Sequence, residues 1–188
     1  MKNQDRRRPA RFATALLAAA ALAAGCGAMR DSSTSSMSAS AAAMTPADQA
    51  FATMAAGSGM YEVGVARLAV SRAVNPQVKA YAQMLVDHHT MANTELMRLL
   101  GARGMKPPTS IPADKEEKTR RLSGSTGAEF DRQFVRGVGI DDHMADVALF
   151  DRESREGADP ELRAWATKTL PTLQAHLQAA QGLQASAR

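Results

Sequence analysis

Three of the chain's four histidines sit on apolar stripes at helical spacing, and one glutamate borders another stripe. His89 follows Leu85 by four residues and precedes Ala92 by three. His143 is in phase with Ile140 and Val147. His176 lies three after Leu173 and four before Ala180. Glu62 lies four after Ser58 and three before Val65. A polar side chain turned into a core costs about 1–3 kcal/mol unless it meets a partner. One carboxylate and three imidazoles, each from a different helix, make a coordination sphere for zinc or another divalent metal. Asp131, next to Phe130, is a candidate fifth contributor. The competing reading keeps each histidine as a hydrogen-bonded core or rim residue, with Glu62 paired to one of them or to Arg67 or Arg72. The heights of these residues along the helices decide between the two.

Other chemistry is less well supported. Ferritin-like di-iron sites place a Glu three residues before a His on each of two helices. Here Val86, Ile140 and Leu173 hold the positions three before His89, His143 and His176, so di-iron oxidase chemistry is not expected. Adjacent His88 and His89 cannot both point at one core site, which assigns His88 to the surface or to an outer layer. Met54, Met84, Met91, Met97 and Met144 read as gap-filling core residues rather than a copper box. No Gly-rich phosphate loop, CxxC pair or nucleophile elbow is present, and no nucleophile–base pair argues for an enzyme.

The elements that must position these residues are helical, since Ala, Leu and Met are abundant and aromatics scarce. Thr45-Pro46 with Asp48 caps a first helix, whose stripe is Phe51, Met54, Ser58, Tyr61, Val65 and Leu68. Asn75-Pro76 ends it and starts a second, which Gly101 and Gly104 close. In the third helix, Phe130 and Phe134 mark a face out of line with that of Ile140, His143, Met144, Val147 and Phe150. Gly137 and Gly139 lie between the two faces, so a kink is expected there. A short helical turn is expected between Ala113 and Thr126. Asp159-Pro160 opens the fourth helix, and Pro171 predicts a bend near Thr167. Four amphipathic helices with short links imply an all-α, up-down-up-down four-helix bundle over residues 45–185.

The first 44 residues have a different character. Lys2, Arg6, Arg7, Arg8 and Arg11 precede an apolar run, Phe12 to Ala24. That is the charged and apolar pattern of a secretory signal, shorter than the roughly 20 residues of a spanning helix. Ala23-Ala24-Gly25-Cys26 resembles a bacterial lipobox, with Leu22 one place earlier than the usual leucine. The pattern implies lipidation at Cys26, the only cysteine, and a signal over 1–26. Residues 27–44, rich in Ser and Ala, read as a disordered tether. Gly27 after the cysteine, by resemblance to lipoprotein sorting signals, favours the outer membrane over the inner. The formal net charge of +4 belongs to the leader. Setting aside the five bases and one acid before Cys26 leaves equal numbers of each, so nucleic acid is not an expected partner. The expected partner is a membrane, reached through the lipid anchor.

The stretches "DQAFATMAAGSGMYEVGVARLAV", "VKAYAQMLVDHHTMANTEL", "GAEFDRQFVRGVGIDDHMADVALFDRE" and "DPELRAWATKTLPTLQAHLQAA" resemble the DUF4142 family. These are exported bacterial proteins of unknown function with a ferritin-like helical bundle. The resemblance covers Asp48 to Leu183. It implies that Glu62, His89, Asp131, His143 and His176 fall on positions the family pattern marks. The expectation is thus an exported, lipid-anchored envelope protein, with a divalent metal in its core and a metal- or stress-related role. The alternative is an interaction module in which the inward His and Glu residues form a hydrogen-bond network that fixes helix register.

Overall fold

The computed structural model describes residues 44–186, so the signal, Cys26 and most of the tether lie outside the described residues. Those residues form an all-α protein of six α-helices and one π-helical segment. The first two are α1 (Pro46–Arg72) and α2 (Pro76–Ala102). They are followed by α3 (Ala113–Ser123) and α4 (Gly127–Phe134). The π segment, Val135–Asp142, runs directly into α5 (His143–Glu156), and α6 (Pro160–Ser186) closes the chain. α1 packs along α2, α5 packs along α6, and α6 also meets α2 and the π segment.

The expected caps are present and tie neighbouring elements together. The Thr45 side chain accepts the Asp48 amide while the Asp48 carboxylate accepts the Thr45 amide, a reciprocal capping box. Asp48 also accepts the Ala158 amide at 2.9 Å, joining the start of α1 to the α5–α6 turn. Asn75 caps α2 through the Gln77 amide. Gly104, at φ 67°, ends the α2 turn in the left-handed region that glycine tolerates best. Asp159 caps α6 through the Glu161 and Leu162 amides and also binds Arg103 at the end of α2.

The expected kink is a π segment, and the pattern of buried positions explains it. Phe130, Phe134 and Val138 are buried at steps of four, and His143, Asp146, Phe150 and Glu153 at steps of three and four. The step from Val138 to His143 is five. A π turn, with its i to i+5 periodicity, takes up that extra residue and keeps both runs facing the core. Gly139 is needed within it, because a Cβ there would lie 2.7 Å from that of Ala180 and 3.2 Å from the Tyr81 hydroxyl. α6 runs unbroken through Pro171. The turn expected after Ala113 is an 11-residue helix, α3, of which only Leu122 is buried.

Two apolar clusters make the core. One holds Tyr61, Val65, Tyr81, Leu85, Phe130 and Phe134. The other holds Phe51, Leu96, Leu99, Phe150, Trp165 and Leu173. In every long helix the residues between the two clusters include buried polar ones. The methionine expectation holds for Met84 and Met97, which pack against the core, and needs correcting for Met54, Met91 and Met144, which are exposed; Ala52, Ala55 and Ala56 line the buried face of α1. Small alanines permit the close approach of α2 that long methionines would block.

Candidate metal centre

The polar layer gathers Glu62 from α1, His89 from α2, His143 from the end of the π segment and His176 from α6. Glu62 and His143 have no exposure, His176 has 1% and His89 6%. Suitable donor atoms of the three histidines all lie within 4.8 Å of one another. The Nε2 of His143 is 3.2 Å from the Nδ1 of His176. Two ligand atoms on a tetrahedral zinc, with bonds of about 2.0–2.1 Å, stand roughly 3.3 Å apart.

The second ring nitrogens are occupied from outside. His143 Nδ1 lies 2.9 Å from the Val138 carbonyl. A carbonyl only accepts, so His143 donates from Nδ1, and its Nε2 is the atom that faces inward. The π segment makes this bond possible, since it sets His143 five residues after Val138. His176 Nε2 lies 2.8 Å from Nδ1 of His88, which is half-buried on α2. All four histidines of the chain therefore belong to one connected cluster.

Glu62 is the unbalanced member. Its Oε2 approaches His89 Nε2 at 2.5 Å, and its Oε1 is 3.7 Å from His143 Nδ1. Charge attraction operates at these distances, but neither approach has hydrogen-bond geometry. Both carboxylate oxygens and His89 Nε2 are buried without a hydrogen-bond partner. Burial alone would raise the Glu62 pKa, yet the neighbouring His89 and His143 hold it down to about 2. Burial alone would lower that of His89, but the Glu62 charge raises it. Burial pushes His176 down to about 3, with the nearby imidazoles adding to the effect. His176 is thus held neutral, as a ligand must be.

Around this centre lies a second set of polar groups. Asp146, one turn after His143, is buried and contacts the Ser58 hydroxyl at 3.1 Å through both oxygens. Burial, then the Glu62 charge, raises its carboxyl to about 7. Asp142 accepts from Tyr61 at 3.1 Å, Lys115 at 2.6 Å and Lys118 at 2.5 Å, which pins the exposed helix α3 to the core. Lys115 also sits over the Tyr61 ring, 4.9 Å from its centre.

Asp131 is not brought to the cluster. Its carboxylate accepts the amides of Val74 and Asn75 at 3.2 and 2.7 Å, so it braces the α1–α2 corner. Its neighbour Phe130 does face the core. The residues that helical phase alone missed are Asp142 and Asp146. Their burial depends on the π segment, although the three-residue spacing of His143 and Asp146 was visible. A cleft of about 700 Å³ is lined by Val74, Val78, Asp131, Val135 and Leu183 among others, and shares no residue with the histidine cluster.

Fold and centre together define a class: a helical protein with a histidine-rich polar layer closed inside its core. The chain belongs to the DUF4142 family, a domain of unknown function, whose pattern matches residues 33–183. A comparison with curated proteins finds no match. Solved structures show the same fold. A DUF305 fragment from Deinococcus radiodurans matches with a TM-score of 0.67 at 19% identity, covering 76% of this chain and 98% of its own. A DUF305 protein from Streptomyces coelicolor, described as secreted, matches at 0.65 and 11% identity, covering 74% and 91%. A protein from Bacillus halodurans described as a spore coat protein matches at 0.62 and 9% identity, covering 77% and 89%.

Proposed function

We propose that this chain is an exported envelope protein whose ferritin-like, up-down-up-down four-helix bundle holds one divalent metal ion in its core. In this reading α1, α2, the run from α4 through α5, and α6 are the four helices. Glu62, His89, His143 and His176 are the ligands. The observation that carries the proposal is Glu62: a carboxylate with no exposure and no hydrogen-bond partner on either oxygen, set against His89 and His143 beside the three-histidine cluster. A buried carboxylate held only by imidazoles is costly in a low-dielectric interior, and a dication supplies a stronger partner. Three imidazole nitrogens and one carboxylate oxygen suit zinc, and also iron, copper or nickel. Four protein ligands with little solvent access suit a closed, structural site more than a catalytic one.

The metal content of the purified protein, measured by mass spectrometry, tests this directly. One equivalent of a transition metal is expected, and it is lost in His89→Ala and in His176→Ala. A metal-free protein after growth in metal-replete medium would sink the proposal.

A second reading has its own support. The unbroken chain His88–His176–His143–Val138 is the kind of network that fixes helix register without any metal. It predicts that both alanine variants lose stability and that the wild type carries no metal.

The export part of the proposal rests on the leader and on a structural relative described as secreted. No helix among the described residues is long and apolar enough to cross a membrane. Anchoring therefore falls to Cys26, and the outer membrane is the proposed location. Growth with a labelled fatty acid is expected to label the wild type and not Cys26→Ser. Equal labelling of both would refute lipidation at this residue.

A further inference from the structure

The direction of the hydrogen bonds through the four histidines differs between the metal-free and loaded states, and His88 is where the difference reaches the surface. With neutral imidazoles the order in the metal-free protein is set from one end. Val138 can only accept, so His143 has its proton on Nδ1 and a lone pair on Nε2. His176 Nδ1, 3.2 Å away, must then donate to that lone pair. A neutral His176 with its proton on Nδ1 has a lone pair on Nε2, so His88 Nδ1 donates to it across 2.8 Å. The rings of His88 and His176 have their centroids 5.1 Å apart and lie within 16° of parallel.

A metal bound between His143 Nε2 and His176 Nδ1 needs a lone pair on both atoms. His176 must then carry its proton on Nε2, and that N–H needs an acceptor. Among the described residues, the side chain in hydrogen-bond contact with it is His88, through Nδ1. We propose that His88 is the positioning residue of the metal centre: by switching from donor to acceptor it takes up the Nε2–H of His176 and so supports the tautomer that presents Nδ1 to the ion. His88 itself is not a ligand, because its contacting nitrogen is taken up by His176. It is half-buried while the other three are buried, so it is the histidine of the cluster that meets solvent. The inference rests on the metal reading above, and it explains why two adjacent histidines serve one centre from opposite sides of the His176 ring.

The test compares the full-length wild type, His88→Ala, His88→Gln and His89→Ala after stripping with chelator. Zinc and cobalt affinities are measured by competition, and the fold is followed by circular dichroism. His88→Ala is expected to weaken binding about 10–100-fold, the usual effect of removing an outer partner of a ligating histidine. It should keep a stoichiometry of one and a wild-type spectrum. His88→Gln, which has a carbonyl oxygen that can accept the same N–H, is expected to recover most of the loss. His89→Ala is expected to lose binding altogether. Nitrogen-15 shifts of the His176 ring give a second readout, with the proton on Nδ1 in the stripped protein and on Nε2 in the zinc form. Wild-type affinity in His88→Ala, equal loss in the Ala and Gln variants, or an Nδ1 proton in the zinc form would each overturn the role of His88 while leaving the metal centre standing. Absence of binding in the wild type would overturn both.

Discussion

Glu62→Gln is expected to cost the metal-free protein about 3 kcal/mol and to abolish tight zinc binding. Among the described residues, Glu62 is the carboxylate paired with histidine nitrogens, with His89 Nε2 2.5 Å and His143 Nδ1 3.7 Å away. Replacing it with an amide leaves His89 with no counter-charge in a buried site. Breaking one side of a buried ion pair is more harmful than never having had it. The pH dependence distinguishes this from simple loss of packing. Glu62 has its pKa held at about 2, below the ordinary 4.5, so its contribution is present above pH 4.5 and is lost as pH falls toward 2. His89 is raised above 6.5, so its contribution is present below 6.5 and is lost as pH rises through the raised value. The stability that Glu62 and His89 confer on the stripped protein, read in urea as the difference between wild type and Glu62→Gln, should therefore be greatest near pH 5–6 and fall away on both sides. Zinc at 100 times its dissociation constant should add about 2.7 kcal/mol to the wild type. It should add almost nothing to the variant. A variant with wild-type stability, a wild-type pH profile and an unchanged response to zinc would show that Glu62 neither pairs with His89 nor holds a metal.

The ligand candidates were legible because buried polar residues break a stripe, and a broken stripe is visible wherever the helix is regular. His89 and His176 lie on uninterrupted α-helical spacing, and both are buried where that spacing puts them. His143 was found only because its phase was counted locally, from Ile140 to Val147. Counted from Phe134, it falls on the wrong face. The two faces of this helix were visible as a conflict, but the π segment that resolves it was not. Such a segment is a choice made by tertiary packing: Gly139 must slide under Ala180 and Tyr81, and His143 must reach the Val138 carbonyl. Asp146 stayed hidden for the same reason. Asp131 failed for a different one. It is a candidate only as the neighbour of Phe130; it is buried, but the groups that claim it are backbone amides of a turn distant in sequence. Spacing along one helix carries no information about unpaired amides on another.

Raising the pH from about 4 to 7 is expected to destabilise the stripped protein through two carboxyls outside the histidine cluster, alongside the changes due to Glu62 and His89 and against the gain from His176, whose depressed pKa makes its contribution grow as pH rises toward 6.5. Glu153, buried near the end of α5, has its pKa raised by burial and then by the charge of Asp48, to about 7. Asp146 is raised to a similar value by burial and then by the charge of Glu62. The sign follows from proton counting. Between the ordinary values of 4.5 and 3.8 and the folded value of about 7, the folded protein holds protons that the unfolded chain has released. Stability then falls as pH rises, by up to about 1.4 kcal/mol per pH unit for each group, and levels off above pH 7. Glu153→Gln keeps the neutral shape without the titration. It should match the wild type near pH 4 and exceed it by about 2 kcal/mol at pH 8, with the midpoint in urea as the readout. Asp146→Asn should behave alike, its amide still able to bond Ser58. Glu153 separates the two effects cleanly, because it contacts no histidine and belongs to the Asp48 corner that caps α1 and holds the Ala158 amide. A Glu153→Gln protein weaker than the wild type at pH 8 would mean that the ionised carboxylate is a stabilising partner there. The start of α1 would then be held by charge rather than strained by it.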